Sequence, residues 1–196
     1  MWATMYRALF CLTHEHTAWA VPLAALVCWF SCFSTLYLLR QARAGLGASR
    51  AALILGAGIA AGIGIWSTHF IAMLGYDPGF GIGYDPVLTC LSLVVGIASA
   101  CFALILASSL PGMSGAAVAG AVLGLGIGAM HFTGMAGVRL PGLITWDIAL
   151  VVIALVAGTA LAALAMAAAR RPGEGRSMSY RPRSSRRPSP ACTSSP

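Results

Sequence analysis

Apolar residues fill five long segments of this chain, and short stretches of polar, glycine or proline residues separate them. A membrane-spanning helix needs about 20 mostly apolar residues, and each segment is long enough. The pattern therefore predicts an all-α fold, a polytopic membrane helical bundle of about five transmembrane helices. The predicted spans cover residues 18–39, 51–75, 87–108, 115–138 and 146–169.

The polar ends divide the chain into three parts. We predict a short extracytoplasmic lead at residues 1–17, a transmembrane domain at 18–169 and a disordered cytoplasmic tail, rich in Arg, Ser and Pro, at 170–196. Hydrophobic residues make up 59% of the 196 residues, and charged residues only 9%. Because about a quarter of the residues in a soluble domain are charged, this composition indicates an integral membrane protein.

Arginine residues predict the orientation of the helices. Seven of the twelve basic residues, all Arg, lie in the tail, and Arg40, Arg43 and Arg50 form a basic loop after the first span. Since such loops stay on the cytoplasmic side, we expect a multi-pass membrane protein with its N-terminus outside and its C-terminus in the cytoplasm. Residues 1–169 hold five Arg against four acidic residues, so we do not expect nucleic-acid binding.

An internal repeat relates the second and fourth spans. Gly62 to Met73 reads GIGIWSTHFIAM, and Gly124 to Met135 reads GLGIGAMHFTGM. Seven identities share one constant spacing, which predicts a duplicated two-helix unit in parallel orientation. The identical pairs are Gly58 and Gly120, Gly62 and Gly124, Gly64 and Gly126, His69 and His131, Phe70 and Phe132, Met73 and Met135, and Asp85 and Asp147.

The first span resembles half of a further unit. Its Cys32-Phe33 pair aligns with the Cys101-Phe102 pair of the third span. This alignment makes the first, third and fifth spans equivalent helices, and in it His16 corresponds to Asp85.

The two repeats each carry a histidine on a glycine-lined helix face, at the same depth near the outer end. Residues three, four and seven positions apart share a face, so Met73 lies one turn beyond His69 and Met135 one turn beyond His131. Imidazole and thioether groups are ligands suited to copper, especially Cu(I). The candidate metal ligands are His69, Met73, His131 and Met135, with Met130 as a spare thioether.

The polar residues at the outer helix starts are candidates for supporting these ligands. A metal-binding histidine usually donates its second N–H to an acceptor, and His16, Asp85 and Asp147 are placed to take part. Simpler roles remain open for all of these residues. The aspartates suit helix N-caps, the glycines helix packing, the methionines core filling, and the histidines interhelical hydrogen bonds.

These motifs resemble the MHYT family, integral membrane sensor domains of bacteria. Met130-His131-Phe132-Thr133 is the name motif with Phe in place of Tyr, and Thr68-His69-Phe70-Ile71 is a looser copy. Tyr84-Asp85-Pro86 is also similar to the family. The resemblance covers residues 14–169. It implies a location in the bacterial inner membrane and copper binding at the outer face. Through that copper it implies the sensing of a diatomic gas such as oxygen, carbon monoxide or nitric oxide, or of redox state.

The resemblance also implies how such a domain is used. Family domains usually have six or more spans, and many continue into domains that make or degrade cyclic di-guanylate. We therefore interpret this chain as truncated after five helices and without an output domain. It would need an unidentified cytoplasmic signalling partner or a second copy of itself, besides the lipid bilayer. We see no catalytic constellation and do not expect an enzyme.

Three other functions remain open at this point. The two histidines could be axial ligands of haem in an electron-transfer subunit. The parallel repeats could form a metal or small-solute transporter. The chain could also be an inactive, truncated remnant.

Overall fold

The computed structural model describes residues 19–77, 79–142 and 144–169. These residues form five α-helices that are long and apolar enough to cross a membrane, which confirms the predicted all-α bundle. The helices are α1 (Ala20–Ala44), α2 (Gly47–Leu74), α3 (Pro86–Ser109), α4 (Gly112–Ala136) and α5 (Ile148–Ala169). The predicted lead with His16, and the predicted tail, lie outside the described residues.

The junction between α1 and α2 is shorter than the sequence pattern predicts. Helix α1 continues through Arg40 and Arg43 to Ala44, and α2 begins at Gly47, before Arg50. Only two residues, at 45–46, connect the two helices. The extension forms because Gln, Ala and Arg are good helix formers and because Arg43 in the last turn interacts favourably with the negative end of the helix dipole. The predicted basic loop is therefore mostly helical.

Glycine contacts repeat with the spacing that the sequence predicts. A Cβ built on Gly62 would lie 2.5 Å from the Cα of Ile97, and one on Gly124 would lie 2.6 Å from the Cα of Thr159. Helices α2 and α3 therefore meet as α4 and α5 do, backbone against backbone. A second pair of such contacts joins Gly58 to Cys101 and, in the other repeat, Gly120 to Ala163. These matching contacts confirm the parallel two-helix repeats.

The packing of α1 on α2 resembles that of α3 on α4, with one correction to the alignment. Gly64 lies against Ser31, and Gly126 lies against Ser99. These contacts relate Ser31 to Ser99, whereas the short Cys-Phe match would place Ser31 on Ala100. Helix α1 is thus the equivalent of α3, but in the register of these contacts His16 aligns with Tyr84 instead of Asp85.

A short ribbon joins the loops that follow α2 and α4. Strand β1 (Gly83–Tyr84) pairs antiparallel with strand β2 (Val138–Arg139). The backbone N–H of Asp85 extends the pairing by donating to the carbonyl of Gly137 over 2.8 Å. We call this end of the bundle, where α2 and α4 end and α3 and α5 begin, the motif end. The ribbon ties the two repeats together there, and the pattern of apolar segments does not predict it.

Small side chains fill the centre of the bundle, and large apolar ones point outward. Ala57, Ala103 and Ala119 are fully buried at 0% exposure, whereas Phe33 and Phe102 are more than half exposed. Helix α5 has no buried residue. This distribution suits a bundle in lipid, where close backbone packing replaces a large apolar core.

Candidate functional site

The two motif histidines lie side by side at the motif end. Helices α2 and α4 run in the same direction, and His69 and His131 are each five residues from the last residue of their helix. Each histidine is therefore about 7–8 Å inside its helix end. Their half-buried imidazole rings are in contact, with centroids 4.7 Å apart and ring planes at 64°. The structure thus brings together the two residues that the repeat made equivalent.

His69 lies beside a glycine of α4 next to this contact. Helix α3 packs between α2 and α4 along most of their length, yet His69 reaches across to α4 near Gly134. A Cβ built on Gly134 would lie 3.8 Å from Nε2 of His69. The His69 ring thus packs beside the α4 backbone, one turn from His131.

The three candidate methionines occupy two kinds of environment. Met130 is buried at 1% exposure, and its Cγ is 3.2 Å from a Cβ built on Gly96 of α3. It fills the contact between α3 and α4. Met73 and Met135 are half-buried, one helical turn beyond the histidines and closer to the motif end. They are the thioethers that the helical spacing places on the histidine faces.

Both candidate aspartates cap a helix. Oδ1 of Asp147 accepts hydrogen bonds from the backbone N–H groups of Ala149 and Leu150 at 2.9 and 3.2 Å. Oδ1 of Asp85 accepts from the N–H groups of Val87 and Leu88 at 3.0 and 3.1 Å. These bonds satisfy amides that a helix start leaves without partners. Within the described residues, no hydrogen bond joins either carboxylate to the histidine pair.

Asp85 also holds the ribbon. Its Oδ2 accepts a hydrogen bond from Nη2 of Arg139 at 2.7 Å, which is also an ion pair. The Arg139 bond, and then the Leu88 amide, keep the pKa of the Asp85 carboxyl below its usual value. The carboxylate thus links the start of α3 to the strand that follows α4.

Aromatic rings surround the histidines in a pattern that also repeats. The Phe70 and Tyr84 rings have centroids 5.2 Å apart, and their equivalents, Phe132 and Trp146, are 5.4 Å apart. The Tyr84 hydroxyl donates to the backbone carbonyl of Met73 over 3.1 Å, and burial raises the pKa of this hydroxyl. The loop after each histidine helix is thus anchored to that helix by an aromatic residue.

A polar contact near His69 was not predicted. The indole Nε1–H of Trp66 donates to Oγ of Ser92 over 3.0 Å, and the Ser92 hydroxyl donates to the Thr89 carbonyl over 2.7 Å. Ser92 is 1% exposed. The sequence places Trp66 on the His69 face, but a single serine in an apolar helix carries no signal of its partner.

The ligands available to a metal here are nitrogen and thioether sulfur. Within the described residues, no group of three or more His, Cys, Asp or Glu side chains converges on a metal-sized site. A metal held by His69 and His131 would therefore complete its coordination with methionine or with an external ligand. Two imidazoles and a thioether fit a soft or borderline metal such as Cu(I) better than the harder cations, which prefer oxygen.

The fold and this site define a membrane domain built from two parallel repeats, each with one histidine at the interface between them. The family model described as "MHYT: Bacterial signalling protein N terminal repeat" matches residues 62–120 and 124–180. The two matches begin at Gly62 and Gly124, the glycines that open the two sequence motifs. The chain belongs to the MHYT family.

Several bacterial signalling proteins are similar to this chain. An uncharacterized signaling protein of Caulobacter vibrioides is 36% identical over 169 residues, which are 85% of this chain and 21% of the relative. In Pseudomonas aeruginosa, the bifunctional diguanylate cyclase/cyclic di-GMP phosphodiesterase MucR is 38% identical over 61% of this chain and 18% of its own length. The cyclic di-GMP phosphodiesterase NbdA of the same organism is 35% identical over 61% of this chain and 15% of its own length.

The matches cover about a fifth or less of each relative, so this chain corresponds to a small part of those proteins. No solved structure matches the chain.

Proposed function

We propose that this chain is the sensory input module of a bacterial signalling system, in which His69 and His131 hold copper together with methionine thioethers. The observation that carries the proposal is the ring contact between the two histidines, 4.7 Å between centroids. Polar side chains inside a membrane are costly. Two of them kept side by side, one from each repeat, indicate a site that binds something.

The donor set supports copper as the bound metal. His69 and His131 supply nitrogen, and Met73 and Met135, one turn away, supply the soft sulfur that Cu(I) favours. Met130 is a further candidate, although its side chain packs against Gly96. The metal would provide an open coordination position for a diatomic gas such as oxygen, carbon monoxide or nitric oxide, or a centre that changes redox state.

The helix contacts suggest how binding is transmitted. His69 and His131 belong to different repeats, so a ligand held by both fixes the distance between α2 and α4. Each of these helices touches a neighbour through glycines that leave no room for adjustment, Gly62 on Ile97 and Gly124 on Thr159. A change at the motif end would therefore move α3 and α5 as well, and so reach the opposite end of the bundle.

The arginine distribution supports the direction of this signal. Arg40, Arg43 and Arg50 lie at the end opposite the histidines, and the positive-inside rule places such an end in the cytoplasm. The motif end would then face the outside of the inner membrane, with the N-terminus outside. A dissolved gas would reach the site from the lipid or the outer surface.

The output of the module is proposed from the relatives. MucR and NbdA carry names that refer to making or degrading cyclic di-GMP, and this chain matches only a small part of each. We propose that the chain is not itself an enzyme. It would pass its state at the cytoplasmic end to a signalling partner, such as a cyclic di-GMP enzyme, or to a second copy of itself.

Metal analysis of the purified protein tests the proposal. We expect the wild type to retain copper after Cu(I) loading and desalting, and the variant with both His69→Ala and His131→Ala to retain much less. His14→Ala, which changes a histidine outside the described helices, is the control and should retain as much as the wild type. Equal copper in the wild type and the double variant would overturn the proposal.

The same preparation distinguishes copper from haem. The His69 and His131 rings are in direct contact, so a porphyrin could enter between them only if α2 and α4 moved apart. We expect no Soret band in protein made in haem-replete cells. A Soret band that disappears when both histidines are replaced would favour the electron-transfer function instead.

A further inference from the structure

A groove opens between α2 and α3 at the end of the bundle opposite the motif end. Its volume is about 330 Å³. Its polar and apolar lining residues include Arg50, Ile54 and Leu55 of α2 and Ile105, Ser108 and Ser109 of α3. Leu55 and Ile105 are 43% and 42% exposed, so the apolar wall of the groove faces the surface that lipid covers around a membrane-spanning bundle.

Arg50 lies at the level of the lipid head groups. Helix α2 has 28 residues and is therefore about 42 Å long, whereas the hydrocarbon core of a bilayer is about 30 Å thick. Arg50 is in the first turn of α2, and Leu55 is more than one turn further in. The groove is therefore charged where head groups lie and apolar where acyl chains lie.

No acidic side chain in the described part of the chain neutralises Arg50. The three acidic residues there, Asp77, Asp85 and Asp147, all lie in the loops of the motif end. The first turn of α2 contains no acidic residue, and a positive charge there is close to the positive end of the helix dipole. An anion bound beside Arg50 would offset this unfavourable interaction.

Two serine hydroxyls complete the polar part of the groove. Oγ of Ser108 donates to the backbone carbonyl of Leu104 over 2.8 Å, and Oγ of Ser109 donates to that of Ile105 over 2.9 Å. Each serine oxygen keeps lone pairs that can accept a hydrogen bond from a ligand hydroxyl. The groove thus offers a cation for a phosphate and acceptors for the hydroxyls of a glycerol head group.

The second repeat does not reproduce this chemistry. By the constant spacing of the repeat, Arg50 corresponds to Gly112, and Ile105 corresponds to Ala167. The backbone contact beside the groove, Gly58 on Cys101, does have an equivalent in the second repeat. The arginine and the large apolar wall are therefore not by-products of the repeated helix packing.

We propose that this groove binds an anionic phospholipid with a glycerol head group, of the phosphatidylglycerol type. The lipid phosphate would pair with Arg50, and the head-group hydroxyls would donate to Ser108 and Ser109. An acyl chain would lie along Leu55 and Ile105. Basic pockets between transmembrane helices hold the head groups of anionic lipids in other membrane proteins. The site depends neither on copper nor on the two histidines.

Native mass spectrometry of the full chain in detergent, titrated with lipid, tests the proposal. Phosphatidylglycerol should bind about tenfold more tightly than phosphatidylcholine with the same acyl chains, the effect of one hydrogen bond to a charged group. Arg50→Gln should lose this preference. Arg40→Gln removes the same charge from an exposed residue at the same end but outside the groove, and it should keep the preference. All three proteins should have similar melting midpoints without lipid.

Two further measurements test the apolar wall. Glycerol 3-phosphate, which has the phosphate but no acyl chain, should not displace phosphatidylglycerol. Ile105→Trp should fill the groove and weaken phosphatidylglycerol binding about fivefold. Leu91→Trp adds the same bulk at a position of α3 that is 48% exposed and outside the groove, and it should bind like the wild type.

Four results would overturn the proposal. Equal binding of phosphatidylglycerol and phosphatidylcholine by the wild type would exclude recognition of the charge. An equal loss of preference in Arg50→Gln and Arg40→Gln would show only a general attraction of anionic lipid to this end. Displacement of the lipid by an equal concentration of glycerol 3-phosphate would indicate a phosphate site and not a lipid site. Unchanged binding in Ile105→Trp would show that the lipid lies elsewhere.

Discussion

His69 and His131 contact each other across the boundary between the two repeats, with ring centroids 4.7 Å apart. Neither repeat contains the pair on its own. Helix α3 packs between their helices along most of their length, and the two rings meet beside Gly134 at the motif end. The candidate site therefore depends on how the repeats are held together at the motif end, by the glycine contacts between helices and by the β-ribbon.

The glycine contacts predict large effects from the smallest substitution. Gly62→Ala places a Cβ 2.5 Å from the Cα of Ile97, and Gly124→Ala places one 2.6 Å from the Cα of Thr159. Both force neighbouring helices apart, and we expect each to lower the free energy of unfolding by about 1–3 kcal/mol, as overpacking usually does. Thermal melting of the detergent-purified protein checks this.

Gly158→Ala is the matched control for these variants. It changes a glycine in the middle of α5 that has nothing within 4 Å of an added Cβ. Because alanine favours a helix over glycine by about 0.5–1 kcal/mol, we expect an unchanged or slightly higher melting midpoint. If Gly158→Ala lowered the melting midpoint as much as Gly62→Ala does, the described glycine packing would be contradicted.

Arg139→Gln should loosen the ribbon without unfolding the helices. The substitution removes the ion pair to Asp85, while the Asp85 cap on α3 remains. We expect faster hydrogen exchange in a peptide covering residues 83–85, since the Asp85 N–H donates to the Gly137 carbonyl. Arg50→Gln, at the opposite end, should leave that peptide unchanged. Identical exchange in Arg139→Gln and wild type would show that the ion pair does not hold the ribbon.

The same carboxylate predicts a response to acid. The pKa of Asp85 in the folded protein lies below its ordinary value of 3.8, mainly because Arg139 donates to it. Its contribution to stability is therefore complete above pH 3.8 and is lost as the pH falls through the lower, folded-state pKa. We expect the melting midpoint to fall below this pH more steeply in the wild type than in Asp85→Asn. Melting midpoints that fall equally with pH in the wild type and in Asp85→Asn would argue against a stabilising ion pair.

Tyr84→Phe isolates one hydrogen bond at the motif end. The variant keeps the ring contact with Phe70 but loses the hydroxyl that donates to the Met73 carbonyl. We expect the free energy of unfolding to fall by about 0.5–1.5 kcal/mol and backbone hydrogen exchange to become faster at the end of α2. Tyr37→Phe, on the exposed side of α1, should have little effect. A Tyr84→Phe protein as stable as the wild type would mean that this bond contributes nothing net.

Methionine variants separate ligands from packing. Met73→Leu and Met135→Leu remove sulfur at half-buried positions with similar volume, so we expect weaker Cu(I) binding and little change in stability. Met113→Leu, at a residue that is 64% exposed, should behave like the wild type. Competition with a chromogenic Cu(I) chelator measures the affinities. If neither Met73→Leu nor Met135→Leu weakens binding, the thioethers are not ligands.

Much of this architecture could be predicted from the sequence. The apolar segments are long and uncharged, so their helical state follows from the requirement that backbone groups pair within a membrane. The constant spacing of the repeat related His69 to His131 before any geometry was known. It also predicted parallel helices, and with them histidines at equal depth.

The remaining features depend on contacts that no local pattern contains. The ribbon has only two residues per strand, too few for an alternating pattern. Ser92 is an ordinary residue in an apolar helix until Trp66 of another helix is placed beside it. The alignment of α1 with α3 was wrong by one position because a Cys-Phe match cannot fix a helix register, whereas the contact of Ser31 with Gly64 does.

X-ray absorption spectroscopy of the Cu(I)-loaded chain tests the central claim most directly. We predict a spectrum with imidazole scattering from two histidines and a sulfur neighbour, and we predict that the imidazole scattering disappears when His69 and His131 are both replaced by alanine. Copper surrounded by cysteine sulfur alone, or an identical spectrum in the double variant, would contradict the account.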